Sequence, residues 1–230
     1  HSWWPLFQNI PTEYLEAYYP VRIDGYTTIE DSGGAGFHRG GNGIEKRYVY
    51  LEPGEVSIHD DRWLTYPWGI LGGKPGSRSE KILVRTDGTR ERLPSKCDEV
   101  KVGPGDMLVY RTAGGGGWKD PLDRPFEKVC ADVAKGLVSE NKAYEDYGVV
   151  VGDEEATEKH RAHLRELRGE VLDFDLGPQL GEILHRAKEE TGLVPPVPPE
   201  PLAWAPMESA EDALRRVREL GDRQMTQTEN

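Results

Sequence analysis

The sequence predicts a mainly β protein: antiparallel sheets in a barrel-like arrangement with Gly-rich, polyproline-like segments, followed by a short α-helical C-terminal tail. Three observations lead there. Runs of alternating apolar and polar residues, such as Val21-Arg-Ile23 and Val56-Ser-Ile58-His59, recur through the first half of the chain. Eighteen of the 27 glycines lie between Gly33 and Gly117, in clusters flanked by large aromatic and charged residues rather than by the small polar residues of a flexible linker. From about residue 153 the aromatics thin out and Glu, Lys, Arg and Ala take over. Composition therefore divides the chain into residues 1–152, a β/polyproline domain, and residues 153–230, a helical tail containing a proline tract.

Residues 12–19 predict two helical turns, with Thr12 as N-cap and Pro20 as the stop. Strands follow at 21–29, at Tyr48-Val-Tyr50-Leu51 and at 56–59. The run 80–86, the dipeptide Asp87-Gly88 and the run 89–93 predict a hairpin closed by a type I′ turn. Val100 to Val102 and Met107 to Thr112 are expected to form another strand pair across the turn Gly103-Pro-Gly-Asp106. Phe126, Val129, Cys130, Val133 and Leu137 fall at helical spacing with Gly136 as terminator, and Ser139 opens a short helix ended by Gly148. Amphipathic helices are predicted over 154–167 and 180–191. Six prolines between Val194 and Pro206 demand an extended segment, and Ser209 opens a last helix.

The 230 residues carry a net charge of −12, which argues against nucleic acid or an anionic membrane as partner. No apolar run approaches a membrane span, and the expected location is cytoplasmic. Cys97 and Cys130 have no metal-ligand spacing and are expected to be free thiols. The start at His1, without an initiator Met and with Trp3 and Trp4 at once, suggests a piece continuing from something upstream.

Residues that could carry chemistry are few. His59-Asp60-Asp61-Arg62 is the densest polar cluster, but neighbours on a strand point to opposite faces, so a shared metal is disfavoured against a structural or interface role. His38 and Arg39, inside the first glycine cluster, could offer a cation and a nest of N–H groups to an anion, or Arg39 could pair with Asp31 or another acid to hold the loop. His160 and His163 share a helix face without a third ligand nearby. The glycine clusters match neither GxGxxG before a helix nor GxxxxGK[ST].

The string Asp31-Ser-Gly-Gly-Ala-Gly-Phe-His-Arg-Gly-Gly-Asn-Gly43 resembles a signature of the hydantoinase B/oxoprolinase family. Pro67-Trp-Gly-Ile-Leu-Gly-Gly-Lys-Pro-Gly76, Thr112-Ala-Gly-Gly-Gly-Gly-Trp-Lys-Asp-Pro121 and Asp146-Tyr-Gly-Val-Val150 agree with it in order, so that the resemblance covers about residues 11–152 of the C-terminal half. The resemblance implies a component of an ATP-dependent multi-subunit enzyme that either carboxylates ketones or hydrolyses cyclic amides such as hydantoins, 5-oxoproline or lactams. The aromatic stretch Trp63 to Trp68 and Gly117-Trp118 favours the acetone and acetophenone carboxylase side; a non-catalytic assembly module is the competing class.

Family membership further implies a hydantoinase A-like partner that binds ATP and Mg, and a divalent metal (Zn, Mn or Fe) held by the N-terminal half of the B-type component. The His-His-x-Asp type of motif expected for that metal does not occur here. No cofactor or metal ligand is therefore expected on this chain, whose part is to shape a site. His38, Arg39, His59, Asp61 and Arg62 are its candidate catalytic residues.

Overall fold

The computed structural model describes residues 9–193, so the proline tract after Val194 and the helix expected at Ser209 lie outside the described residues. The chain opens with α1 (Thr12–Tyr18), β1 (Val21–Thr28) and β2 (Ile44–Tyr50). Pro11 rather than Thr12 takes the N-cap position of α1, with no side-chain cap; proline's fixed φ suits that entry to the helix. Next come β3 (Gly54–His59), β4 (Gly69–Ile70), β5 (Glu80–Val84), β6 (Arg90–Arg92), β7 (Lys96–Val102) and β8 (Met107–Arg111).

These strands form an open antiparallel sheet of order β1-β2-β8-β5-β6 and a ribbon β3-β7. Among the described residues no closed barrel forms, because both edges are blocked instead of joined. The β1 edge is bulged between Ile23 and Gly25, and the Glu16 carboxylate on α1 accepts from the Ile23 N–H at 2.7 Å. The opposite edge, β6, is three exposed residues long. Short, bulged and capped edges offer no ladder to a closing strand.

Two turn expectations are corrected. Between β5 and β6 only Gly88 has positive φ, at 86°; Gly88 N–H donates to Arg85 O and Arg85 N–H to Thr89 O. The loop is thus three residues long with a glycine bulge, not the two-residue type I′ turn, which needs positive φ at both positions. The Gly103–Asp106 turn does not join a strand pair either. It carries the chain from β7, paired with β3, to β8, which sits between β2 and β5. The Asp106 carboxylate steers this crossing, accepting from Gly103 N–H, Thr86 N–H and Arg85 Nη1.

Sheet and ribbon enclose the first apolar core, Ile58, Leu83, Leu93, Val102 and Leu108, with Tyr48, Tyr50 and Tyr110 against it. Burial pushes the phenols of Tyr50 and Tyr110 up to about 12 and raises that of Tyr48. A phenol held neutral in the fold stabilises it fully below its ordinary value of 10.0; that contribution is lost as pH rises from there toward about 12. Tyrosinate absorbance should therefore show a fraction of the tyrosines ionising only as the chain unfolds. A single titration at the ordinary value, with the fold intact, would contradict the burial.

A second core lies under the helices. After a 3₁₀ turn at Pro121–Asp123 come α2 (Phe126–Ala134), α3 (Glu140–Tyr147) and α4 (Glu154–Leu167). Val129, Val138, Ala143, Tyr147 and Val149 pack there with Ala35 from the first glycine cluster. The Ser139 hydroxyl accepts from Lys142 N–H and Asp153 from Ala156 N–H, capping α3 and α4; Gly148 closes α3 at φ 64°. The buried Arg161 of α4 donates to the carbonyls of Tyr147 and Arg124. Beyond it, β9 (Phe174–Asp175) pairs with β4, and α5 (Leu180–Thr191) buries Ile183 and Ala187.

Candidate functional site

The three glycine clusters converge on one another. Gly34 N–H donates to Gly115 O, Gly115 N–H to Gly41 O, Lys74 N–H to Ala35 O, Gly117 N–H to Lys74 O and Ile70 N–H to Gly117 O, all between 2.7 and 3.0 Å. Backbone lies directly on backbone. A Cβ on Gly116 would overlap the carbonyl oxygen of Trp68, and one on Gly117 that of Ala35. Only residues without a side chain permit this approach, and the lattice they make carries two of the candidate residues, His38 and Arg39.

His38 is exposed, bridged to Trp118 through both backbone N–H groups, with its ring 5.2 Å from the indole. Arg39 turns inward. Its Nη1 donates to Gly40 O and to the Asn42 side chain, while its Nε lies 3.4 Å from Asp132 on α2. Asp132 also accepts from Arg124 at 2.8 Å, so that carboxylate ties the first glycine loop to the helical core. Asp31, the other partner considered for Arg39, instead accepts from the backbone N–H of Ser139.

His59 ends β3, and Asp61 and Arg62 follow it. His59 is exposed and faces Asp98 at 3.2 Å. The Asp61 side chain is 97% exposed and 3.5 Å from Lys96, which leaves it in high-dielectric solvent. Arg62 adopts φ 59° and lays its guanidinium 4.6 Å over the Trp68 ring. The structure thus draws the five candidates into two groups on separate segments, with no pair among them in hydrogen-bond or ion-pair contact in the described residues.

Sequence reasoning missed what sits under the second group. Lys81, fully buried on β5, forms an ion pair with Asp60, whose carboxylate also accepts from the Ser79 hydroxyl. The ammonium lies 4.3 Å over the Tyr110 ring. Burial drives the Lys81 pKa down, with Asp60 opposing. Ser79 also donates to Asp61 O and, through its N–H, to Arg62 O. The cluster clamps the turn that presents Arg62. Its only signal in the sequence is a lysine inside the apolar run of β5.

A cleft of about 250 Å³ opens elsewhere, lined by Gly72, Lys74, Asp120, Asp146, Arg168 and Asp175 among others. None of the five candidates lines it, and both of its cations are paired within it, Lys74 with Asp146 at 3.4 Å and Arg168 with Asp120. Among the described residues no group of three or more His, Cys, Asp or Glu could hold a metal ion. Cys97 and Cys130 are free. No helix among the described residues is long and apolar enough to cross a membrane.

The family model of hydantoinase B/oxoprolinase matches residues 1–121, more than half of the chain. The chain belongs to this family. Among relatives of this hydantoinase B-type chain, an uncharacterised protein of Methanocaldococcus jannaschii is 38% identical over 143 residues, 62% of this chain and 25% of the relative. The putative B component of a D-/L-hydantoinase from Pseudomonas sp. strain NS671 is 32% identical, covering 64% of this chain and 25% of its own. The caprolactamase beta chain of Pseudomonas jessenii is 36% identical over 65% of this chain and 27% of its own.

The chain therefore spans about a quarter of the length of these relatives. The crystal structure of the ATP-dependent caprolactamase superposes with a TM-score of 0.58 at 35% identity, covering 66% of this chain and 28% of that one. The nucleotide-free acetone carboxylase gives 0.59 at 23% identity over 77% and 28%, a likeness of fold.

Proposed function

We propose that this chain is the C-terminal portion, or a separately made part, of a hydantoinase B-type component of an ATP-dependent multi-subunit enzyme that opens cyclic amides. The observation carrying this is the 36% identity to the beta chain of a caprolactamase and 32% to the putative B component of a hydantoinase. In this reading a hydantoinase A-like partner supplies ATP-driven activation. This chain supplies shape, its glycine lattice setting loops against a site whose metal-bearing groups come from the rest of the B-type component. Carboxylation of a ketone is the second reading, favoured by the exposed rings of Trp68 and Trp118 and by the fold shared with acetone carboxylase. The test is ADP release by the purified native assembly with 5-oxoproline, hydantoin and caprolactam, against acetone with bicarbonate. Turnover confined to the ketone would reverse the order of the two readings.

A shaping role also separates the candidates. Arg39→Ala in the full assembly should cost about 2 kcal/mol and lower activity through the loosened loop, since it strips a partner from the buried Asp132. Asp61→Asn and His59→Gln change exposed groups and should leave stability within about 0.5 kcal/mol and kcat/KM within about twofold. A tenfold or larger loss in either, at unchanged melting temperature, would mean that this turn touches the reacting groups.

A further inference from the structure

Pairing between short extended segments gathers an aromatic row on one face of the lattice. His38 bridges Trp118 antiparallel, Ile70 bridges Trp118 parallel, and Ile70 pairs with Phe174 antiparallel. Residues paired across adjacent strands project to the same side. His38, Trp118, Ile70 and Phe174 therefore form a row across four neighbouring segments, and the 5.2 Å spacing of the His38 and Trp118 rings agrees. Trp68 stands two residues before Ile70, just ahead of β4, and is also exposed.

This row stays in solvent: Phe174 is 62% exposed, Trp68 42% and Trp118 41%. Each indole carries a cation on its face, Arg62 over Trp68 and Lys119 over Trp118, both at 4.6 Å. Both cations stand in left-handed backbone, at φ 59° and 60°, a conformation that costs a side-chain-bearing residue energy and persists where its placement is used. Neither forms an ion pair with a carboxylate among the described residues, although the chain has 41 acidic against 29 basic side chains. Exposed Trp with Arg is the composition of an interface hot spot, and cations that find no carboxylate counter-ion among the described residues of an acid-rich chain call for carboxylates from outside.

We propose that the face bearing Trp68, Trp118, Ile70 and Phe174 docks a partner subunit that presents Asp or Glu side chains around an apolar contact, with Arg62 and Lys119 receiving those carboxylates. The identity of the occupant rests on the reading of this chain as one component of a multi-subunit enzyme. A second copy of the chain is disfavoured, because two bodies each carrying −12 repel.

Carbodiimide cross-linking of the intact native assembly tests it, since the reagent joins a lysine amine only to a carboxylate within contact. Peptide mass spectrometry should find Lys119 joined to an Asp or Glu of a different subunit. A product joining Lys119 only to this chain or to a second copy of it overturns the assignment. In the same assembly, Arg62→Glu with Lys119→Glu should weaken subunit association by about tenfold or more and flatten its salt dependence; Arg90→Glu, at an exposed cation of β6, should do neither. Lys119→Gln alone, which removes charge without reversing it, guards against misfolding and should weaken association to a smaller degree. Unchanged association in both variants overturns the proposal. An assembly that cross-links as expected but turns over neither cyclic amides nor ketones removes the reaction reading and leaves the docking face standing.

Discussion

Replacing Gly114 with alanine will cost at least about 3 kcal/mol, while replacing Gly41, in the same lattice, will change stability by no more than about 0.5 kcal/mol. The two glycines look equivalent in the sequence. A Cβ on Gly114 would overlap the carbonyl oxygen of Ser32, and that carbonyl already accepts from Ser77 N–H at 2.8 Å. Ser32 itself is buried, its hydroxyl donating to Ile29 O and accepting from Gly43 N–H. Nothing there can step aside without breaking several buried backbone bonds. A Cβ on Gly41 meets no atom within 4 Å, and its φ is not positive. Denaturant unfolding of the two variants checks the contrast, and equal midpoints would show that the close approach of these backbones is not what the glycines are for.

Asp60→Ala is the second large effect, expected at about 3–5 kcal/mol. The substitution leaves the fully buried Lys81 ammonium facing only the Tyr110 ring, and a buried charge without a counter-ion is among the costliest defects a core can hold. Lys81→Met should cost less, because Asp60 keeps the Ser79 hydroxyl and a little solvent. The double variant should be more stable than Asp60→Ala alone. The sign of the pH dependence follows from the lowered Lys81 pKa. The unfolded chain binds that proton more tightly, so in Asp60→Ala the deficit shrinks as pH rises from neutrality toward the ordinary lysine value of 10.5, until tyrosine ionisation intervenes. A deficit that grows over that range would place the lysine in water.

Local chemistry made most of the elements legible. Ser139, Gly148 and the bounds of α4 and α5 follow from capping residues and periodicity within a few positions of each other. What failed depended on partners far along the chain. The turn at Gly103 to Asp106 is visible as a turn, but nothing local tells whether the strands beside it share a sheet. The same holds at the candidate site. Arg39 was visible as a loop anchor, whereas its partner Asp132 lies on a helix 93 positions later and was not named. Lys81 hid because a lysine in a strand is ordinarily at the surface, and its burial depends on Asp60 being delivered by the turn after β3.

The lattice also bears on how this chain acquires its structure. Its contacts join Gly34 to Gly115 and Ala35 to Lys74, so these groups are satisfied only across long stretches of chain. Loop closure must come before any of these bonds forms, and chains dominated by such distant pairings fold slowly. On a ribosome, the first glycine cluster cannot complete its pairing until Gly114 to Gly117 has emerged, while the capped helices that follow rest on local bonds. The segment that resembles the family signature therefore becomes rigid only once its three distant clusters have met.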